Sequence, residues 1–130
     1  MASICREISL ERPADAVWDA IRDFDRVHAR VAPGFLTGLE MKDGDRIVTF
    51  FNGLVARERL VTLDDDGRRL VYTIVEGRPT HHNASFEVRH DGDGGSRVVW
   101  TADLLPNELA PAIAAMMDQG LAVMKKTLDA

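Results

Sequence analysis

The feature that most constrains this fold is a series of six segments in which apolar and polar residues alternate. The segments are separated by short turns rich in Asp, Asn and Gly, such as Asn52-Gly53. A side-chain period of two predicts β-strands, and turns this short join antiparallel neighbours, because parallel strands need a longer crossover. The predicted strands are Phe35–Glu40, Arg46–Phe51, Leu54–Leu63, Arg69–Glu76, His82–His90 and Arg97–Leu104.

Other patterns flank this series at both ends. Ile4–Glu11 alternates and predicts a first strand, and residues 13–23 then place apolar side chains at helical spacing behind a proline at the start. Residues 24–33 predict a second short helix that Pro33 closes. Past Pro106 the 3.6-residue period returns and predicts a long C-terminal helix of about 20 residues.

This order of elements predicts an α+β fold. We expect about seven antiparallel strands in a curved sheet that wraps around the C-terminal helix, with two short helices after the first strand. The concave face of such a sheet is wider than one helix can cover, which leaves room for an apolar ligand. The length of 130 residues predicts one domain, residues 1–130, because single domains cluster at about 100–150 residues.

Charge and composition argue against several classes of partner. The 21 acidic and 16 basic residues give a net charge of −5, the wrong sign for binding a phosphate backbone, so no nucleic-acid partner is expected. Cys5 is the single cysteine, and no ligand cluster or phosphate-binding motif is visible, so neither a metal nor a cofactor is expected. No apolar run approaches the roughly 20 residues that cross a bilayer. We expect a cytoplasmic protein that does not insert into a membrane and is a monomer or weak homodimer.

Two polar side chains, His82 and Tyr72, lie at strand positions that the alternation predicts to face inward. The other residues at those inward positions are apolar. His82 shares its phase with Ala84 and Phe86. A histidine in such a place is a candidate for proton transfer, because its charge changes near neutral pH. The alternative is a core residue whose polar tip bonds to backbone or water.

Glu58 is the sharpest candidate for chemistry, and two interpretations of it stay open. If Ala56, Glu58 and Leu60 face inward, Glu58 is a carboxylate in an apolar cavity, where desolvation disfavours its charge and suits it to general acid or base work. Replacement by glutamine would then leave stability level or raise it. If instead the residues that alternate with these face inward, or a bulge switches the two sets, Glu58 pairs with Arg57, Arg59 or another arginine on the solvated face.

Six short segments, in their order and spacing, resemble the START-like superfamily with the helix-grip fold, and in particular its polyketide cyclase/dehydrase (SRPBCC-type) branch. The segments are Pro13–Trp18, Ala56–Leu60, Leu63–Asp65, Tyr72–Gly77, Asn83–Val88 and Gly95–Trp100. The resemblance implies a deep apolar cavity under the C-terminal helix. Across the superfamily such cavities bind lipids, hormones and polyketides, and in some members they support cyclisation, dehydration or isomerisation.

The nearest enzyme pattern in that superfamily resembles the lachrymatory-factor synthases. Their strand with a glutamate between two basic residues matches Arg57-Glu58-Arg59-Leu60. The resemblance implies that Glu58 is the catalytic glutamate, that Thr49 stands where these enzymes have an arginine, and that His82 replaces an aromatic hydroxyl. Glu58 and His82 are accordingly the predicted catalytic residues.

The function predicted from the sequence is binding of a small hydrophobic or amphipathic ligand, resembling a lipid, a polyketide or a hormone. A second hypothesis is a cofactor-independent cyclase, dehydratase or isomerase that uses Glu58 as general acid or base. A third is a regulatory protein that binds a partner while large side chains close its cavity. The predicted ligand contacts are Thr49, Phe51, Tyr72, Ile74, Phe86, Trp100, Met116, Met117, Gly120 and Met124.

Overall fold

The alternating segments form seven strands in the computed structural model, which describes residues 1–130. The strands are β1 (Ala2–Leu10), β2 (Leu36–Lys42), β3 (Asp45–Phe50), β4 (Val55–Asp64), β5 (Arg69–Glu76), β6 (His81–His90) and β7 (Ser96–Leu105). They make one antiparallel sheet in the order β1-β7-β6-β5-β4-β3-β2. Each predicted strand is present with its ends shifted by at most two residues, so the predicted α+β helix-grip fold is confirmed.

Three helices accompany the sheet: α1 (Ala14–Ile21), α2 (Val27–Arg30) and α3 (Ala110–Leu128). The second predicted helix is shorter than expected, because its first turn, Phe24–Arg26, is a 3₁₀ turn and α2 has four residues. Pro111 lies in the first turn of α3, where a missing backbone N–H breaks no helical hydrogen bond. None of the three helices combines the length and the hydropathy needed to span a membrane.

The helices cover the margins of the sheet and leave its middle open. α3 lies along β1, α1 packs on β6 and β7, and α2 packs on β2. A core of 27 buried residues fills the contacts, with Val17, Leu70 and Val98 among its fully buried members. No helix packs closely on β3, β4 or β5. The concave face of these central strands is therefore the part of the fold where space can remain.

Two bulges between β4 and β5 decide which side chains of β4 face inward. β5 carries an extra residue, Val75, between the partners of Arg57 and Glu58, and β4 carries an extra residue, Val61, after Leu60. Glu58 is buried, whereas Leu60 is 37 % exposed. Leu60 still pairs with the buried Tyr72, and its greater exposure begins where the bulge at Val61 interrupts the pairing.

The β6–β7 turn meets the end of β1 with no room for a side chain at Gly95. A Cβ at Gly95 would lie 2.5 Å from the backbone carbonyl oxygen of Leu10. We expect Gly95→Ala to lower the free energy of unfolding by about 1–3 kcal/mol, the usual cost of overpacking, as measured by urea denaturation. Gly92→Ala is the control, because nothing lies within 4 Å of a Cβ at that position of the same turn. Equal urea midpoints for the two variants would contradict this account.

Candidate functional site

A cavity of about 140 Å³ lies between α3 and the concave face of the sheet. Of its 24 lining residues 18 are hydrophobic, and the charged ones are Arg46, Glu58 and Arg78. The lining comes from α2 and the segment that follows it, from strands β2 to β7 and from α3. Large side chains do not fill this space, so the hypothesis of a closed cavity does not describe this structure.

Most of the predicted ligand contacts lie on the cavity wall. The members that line it are Tyr72, Ile74, Phe86, Trp100, Met116, Met117, Gly120 and Met124, and the predicted catalytic residues Glu58 and His82 line it as well. Thr49 and Phe51 do not, which corrects their predicted position. Thr49 alternates with the inward residues of β3 and so points to the opposite face, and Phe51 follows the end of β3 and is 48 % exposed.

Three aromatic rings from neighbouring strands form one wall of the cavity. The Phe86 and Trp100 rings stack with centroids 4.7 Å apart, and the Tyr72 and Phe86 rings stack at 6.2 Å. Phe86 and Trp100 are direct partners across β6 and β7, which brings their side chains together on one face. The Trp100 indole Nε1–H donates to the Tyr72 hydroxyl oxygen over 3.2 Å.

α3 closes onto this wall at Gly120. A Cβ at Gly120 would lie 3.1 Å from the Phe35 ring and 3.2 Å from the Trp100 ring. Both distances are tighter than ordinary van der Waals contact, so any side chain at this position would push the helix or the rings aside. Gly120 is therefore a close-packing residue that sets the height of α3 above the sheet.

The polar end of the cavity is built on a buried ion pair between Arg46 of β3 and Glu58 of β4. These residues face each other across the two strands, and the Arg46 Nε–H donates to Glu58 Oε1 over 2.8 Å. Arg46 is 3 % exposed and Glu58 is 6 % exposed. The Arg46 Nη1–H also donates to the Phe24 carbonyl oxygen over 3.0 Å. The guanidinium carbon lies 4.0 Å from the Phe24 ring centroid and 5.2 Å from that of Tyr72, so the cation is held between two aromatic faces.

This geometry combines parts of both interpretations of Glu58. The carboxylate faces the cavity, but its counter-charge is supplied by a buried arginine and not by Arg57 or Arg59. Those two arginines bind Asp45 on the opposite face, with Nε to carboxylate distances of 2.7 and 3.0 Å. Their hydrogen bonds, that of Arg59 above all, lower the pKa of Asp45 to about 2. The two faces of this strand pair therefore carry separate ion pairs.

Arg46 is the site residue that sequence reasoning missed. The comparison with known enzymes placed their arginine at Thr49, but Thr49 pairs with Val55, three residues away from the position opposite Glu58. A usable signal was present, because Arg46 shares its strand phase with Val48 and Phe50 and so interrupts an apolar inward face.

His82 is buried in the wall as a neutral imidazole. Its Nδ1 accepts a hydrogen bond from the Ile74 backbone N–H over 3.1 Å, which places the ring proton on Nε2. Burial, together with the charge of His81, lowers the pKa of His82 to about 4. No direct hydrogen bond joins His82 to Glu58, whose partner is Arg46. The two predicted catalytic residues therefore lie in one cavity without forming an acid–base pair by direct contact.

The Tyr72 hydroxyl stays protonated near the Arg46–Glu58 ion pair. Burial and the nearby charge of Glu58 raise the pKa of the Tyr72 phenol. The Tyr72 and His82 rings lie 5.7 Å apart, so both side chains belong to the same polar end of the cavity.

Comparison with known proteins places this architecture in a family. The model of the family described as "Polyketide cyclase / dehydrase and lipid transport" matches residues 1–129. The chain belongs to this family. A search of the curated proteins found no match.

Solved structures show how widely the polyketide cyclase/dehydrase fold is shared. An uncharacterised protein from Bacillus thuringiensis superposes with a TM-score of 0.87 at 17 % identity, covering 98 % of both chains. A solution structure from Thermobifida fusca has a TM-score of 0.76 at 31 % identity, covering 99 % of this chain and 91 % of that one. A norcoclaurine synthase variant from Thalictrum flavum, in complex with a transition-state analogue, has a TM-score of 0.75 at 19 % identity, covering 98 % and 93 %. The first and third of these likenesses show the fold alone.

Glu58→Gln tests the buried ion pair of this family member. The sequence alone predicted level or higher stability, but the structure reverses that expectation because Arg46 would keep its charge without a counter-ion. We expect the free energy of unfolding to fall by about 3 kcal/mol in chemical denaturation. The double variant Arg46→Met/Glu58→Leu removes both charges and should recover most of the loss. A Glu58→Gln protein as stable as the wild type would show that the pair has no energetic role.

The lowered pKa of His82 predicts that the protein loses stability on mild acidification. The pKa of His82 is lowered to about 4 in the folded protein, from an ordinary value of about 6.5. Between pH 4 and pH 6.5 the unfolded chain therefore binds the proton more readily than the folded protein does. The contribution of neutral His82 to the free energy of unfolding is therefore complete above pH ~6.5 and is lost as the pH falls towards 4. Between pH 7 and pH 5 we expect it to cost about 2 kcal/mol of unfolding free energy that a His82→Gln variant does not lose. His90→Gln, at the exposed end of the same strand, is the control and should keep the wild-type pH dependence.

Proposed function

We propose that this protein binds a small hydrophobic or amphipathic ligand in the cavity under α3. The observation that carries the proposal is a preformed cavity with a mostly apolar lining and a small polar group at one end. Ligand sites commonly have this composition, because apolar walls supply affinity and a few polar groups fix orientation. Membership in a family described by lipid transport as well as by cyclase and dehydrase activity supports the same function.

The alternative function is a cofactor-independent cyclase, dehydratase or isomerase with Glu58 as acid or base. The cavity suits either function, but Glu58 is engaged by Arg46 over 2.8 Å and makes no direct hydrogen bond to His82. A general acid or base needs a free path to the proton that it transfers. The geometry therefore favours binding, with Glu58 and His82 orienting the ligand. A cytoplasmic location and a monomeric or weakly dimeric state remain predictions from the sequence.

Filling the cavity tests the proposed function. Met116 is a half-buried wall residue on α3, and Ala115 beside it is exposed and does not line the cavity. We expect toluene to shift the amide resonances of cavity residues in NMR spectra of the wild type. The larger ring in Met116→Trp should weaken that binding at least about tenfold, whereas Ala115→Trp should leave it unchanged.

The two tryptophan variants also separate a cavity from a well-packed core. If neither toluene nor phenol, which has the same ring with a hydroxyl group, causes shifts in the wild type, the proposed binding function is wrong. If it binds equally to both variants, the ligand site lies elsewhere on the protein.

A further inference from the structure

The volume of the cavity limits how much of a ligand its walls can surround. At about 140 Å³ the cavity is close in size to the roughly 150 Å³ engineered cavity that accommodates one benzene molecule. One six-membered ring fits inside such a space, whereas the rest of a larger molecule would extend through the side that is open to solvent. The part of the ligand that the walls surround is accordingly a single ring.

The walls are suited to a flat ring. The stacked rings of Phe86 and Trp100 form one side, and the thioethers of Met116, Met117 and Met124 come from α3 on the other. Sulfur–aromatic and aromatic–aromatic contacts both contribute favourable energy beyond that of buried area. A ring between these two walls would gain both kinds of contact.

The charges at the polar end of the cavity sum to zero. Arg46 and Glu58 neutralise each other and His82 is neutral, whereas Arg78, the remaining charged lining residue, is exposed. A charged group placed beside the Arg46–Glu58 pair would lose its hydration without finding an unpaired opposite charge there. The polar end therefore favours a neutral group.

The polar end still has unused hydrogen-bonding capacity of both kinds. The Tyr72 hydroxyl accepts from Trp100, but its own hydrogen has no acceptor in the protein, and the Nε2–H of His82 has none either. Arg46 donates to Oε1 of Glu58, and Oε2 of the same carboxylate accepts no hydrogen bond from the protein. A ligand group that both accepts and donates would satisfy this end, and a hydroxyl does so. A carbonyl oxygen only accepts, and a carboxylate would meet the negative charge of Glu58.

We infer that the part of the ligand held in the cavity is a neutral single ring with a hydroxyl group, of which phenol is the simplest example. The ring lies between the aromatic wall and the α3 methionines, and the hydroxyl bonds to Tyr72, His82 and Glu58. This inference rests on the proposed function and narrows its ligand class, because the walls surround one ring and the paired charges of Arg46 and Glu58 disfavour an ionic group beside them.

The first test compares toluene, phenol and benzoate on the wild-type protein by NMR titration. Phenol should bind at least about tenfold more tightly than benzoate, which has a similar ring but a negative charge. Binding of benzoate as tight as that of phenol would overturn the inference, even with toluene bound. Absence of binding by both toluene and phenol would instead overturn the proposed function itself.

The second test asks whether the polar end recognises the hydroxyl. Tyr72→Phe keeps the ring stack and removes one donor, so the affinity ratio of phenol to toluene should fall about fivefold, the effect of one net hydrogen bond. Arg46→Met/Glu58→Leu removes the acceptor and should lower the same ratio to a similar extent. Ser85→Ala also deletes a hydroxyl, but outside the cavity lining, and should leave the ratio unchanged. Equal ratios in all these proteins would show that the hydroxyl is not recognised.

Discussion

The buried ion pair between Arg46 and Glu58 is the interaction on which the rest of the site depends. It joins β3 to β4 at a direct cross-strand pair and, through the Phe24 carbonyl, ties the segment before α2 to the sheet. Two charges removed from water in this way are tolerated only with close geometry and further hydrogen bonds. The same contacts hold the guanidinium between the rings of Phe24 and Tyr72. The pair thus determines where the inner end of the cavity lies.

The cavity results from a mismatch between the curved sheet and the helices that cover it. α3 follows β1, and Gly120 lets it approach the rings of Phe35 and Trp100 closely. The central strands receive no comparable cover, and their inward side chains line open space. Apolar packing on the margins therefore supplies stability, while the middle of the concave face stays available for a ligand.

Within the polyketide cyclase/dehydrase family, one architecture serves both binding and chemistry, so the arrangement of individual side chains must decide the function. In this chain, Glu58 is balanced by Arg46, and His82 is neutral with its Nδ1 occupied by the Ile74 backbone N–H. These groups are arranged as fixed hydrogen-bonding partners at an electrically neutral end of the cavity. Under the proposed function, such an arrangement would orient a ligand at little electrostatic cost.

Local periodicity in the sequence was sufficient to predict the seven strands, the long C-terminal helix and the inward phase of His82, Phe86 and Trp100. These features depend only on the spacing of apolar residues within one helix or strand. A period of two or 3.6 residues therefore indicates both the type of element and its buried face. The partner of Glu58, the exposure of Leu60 and the positions of Thr49 and Phe51 were decided only by the tertiary structure. Each of them depends on strand register, on a bulge or on the end of a strand, and these follow from pairing between distant segments.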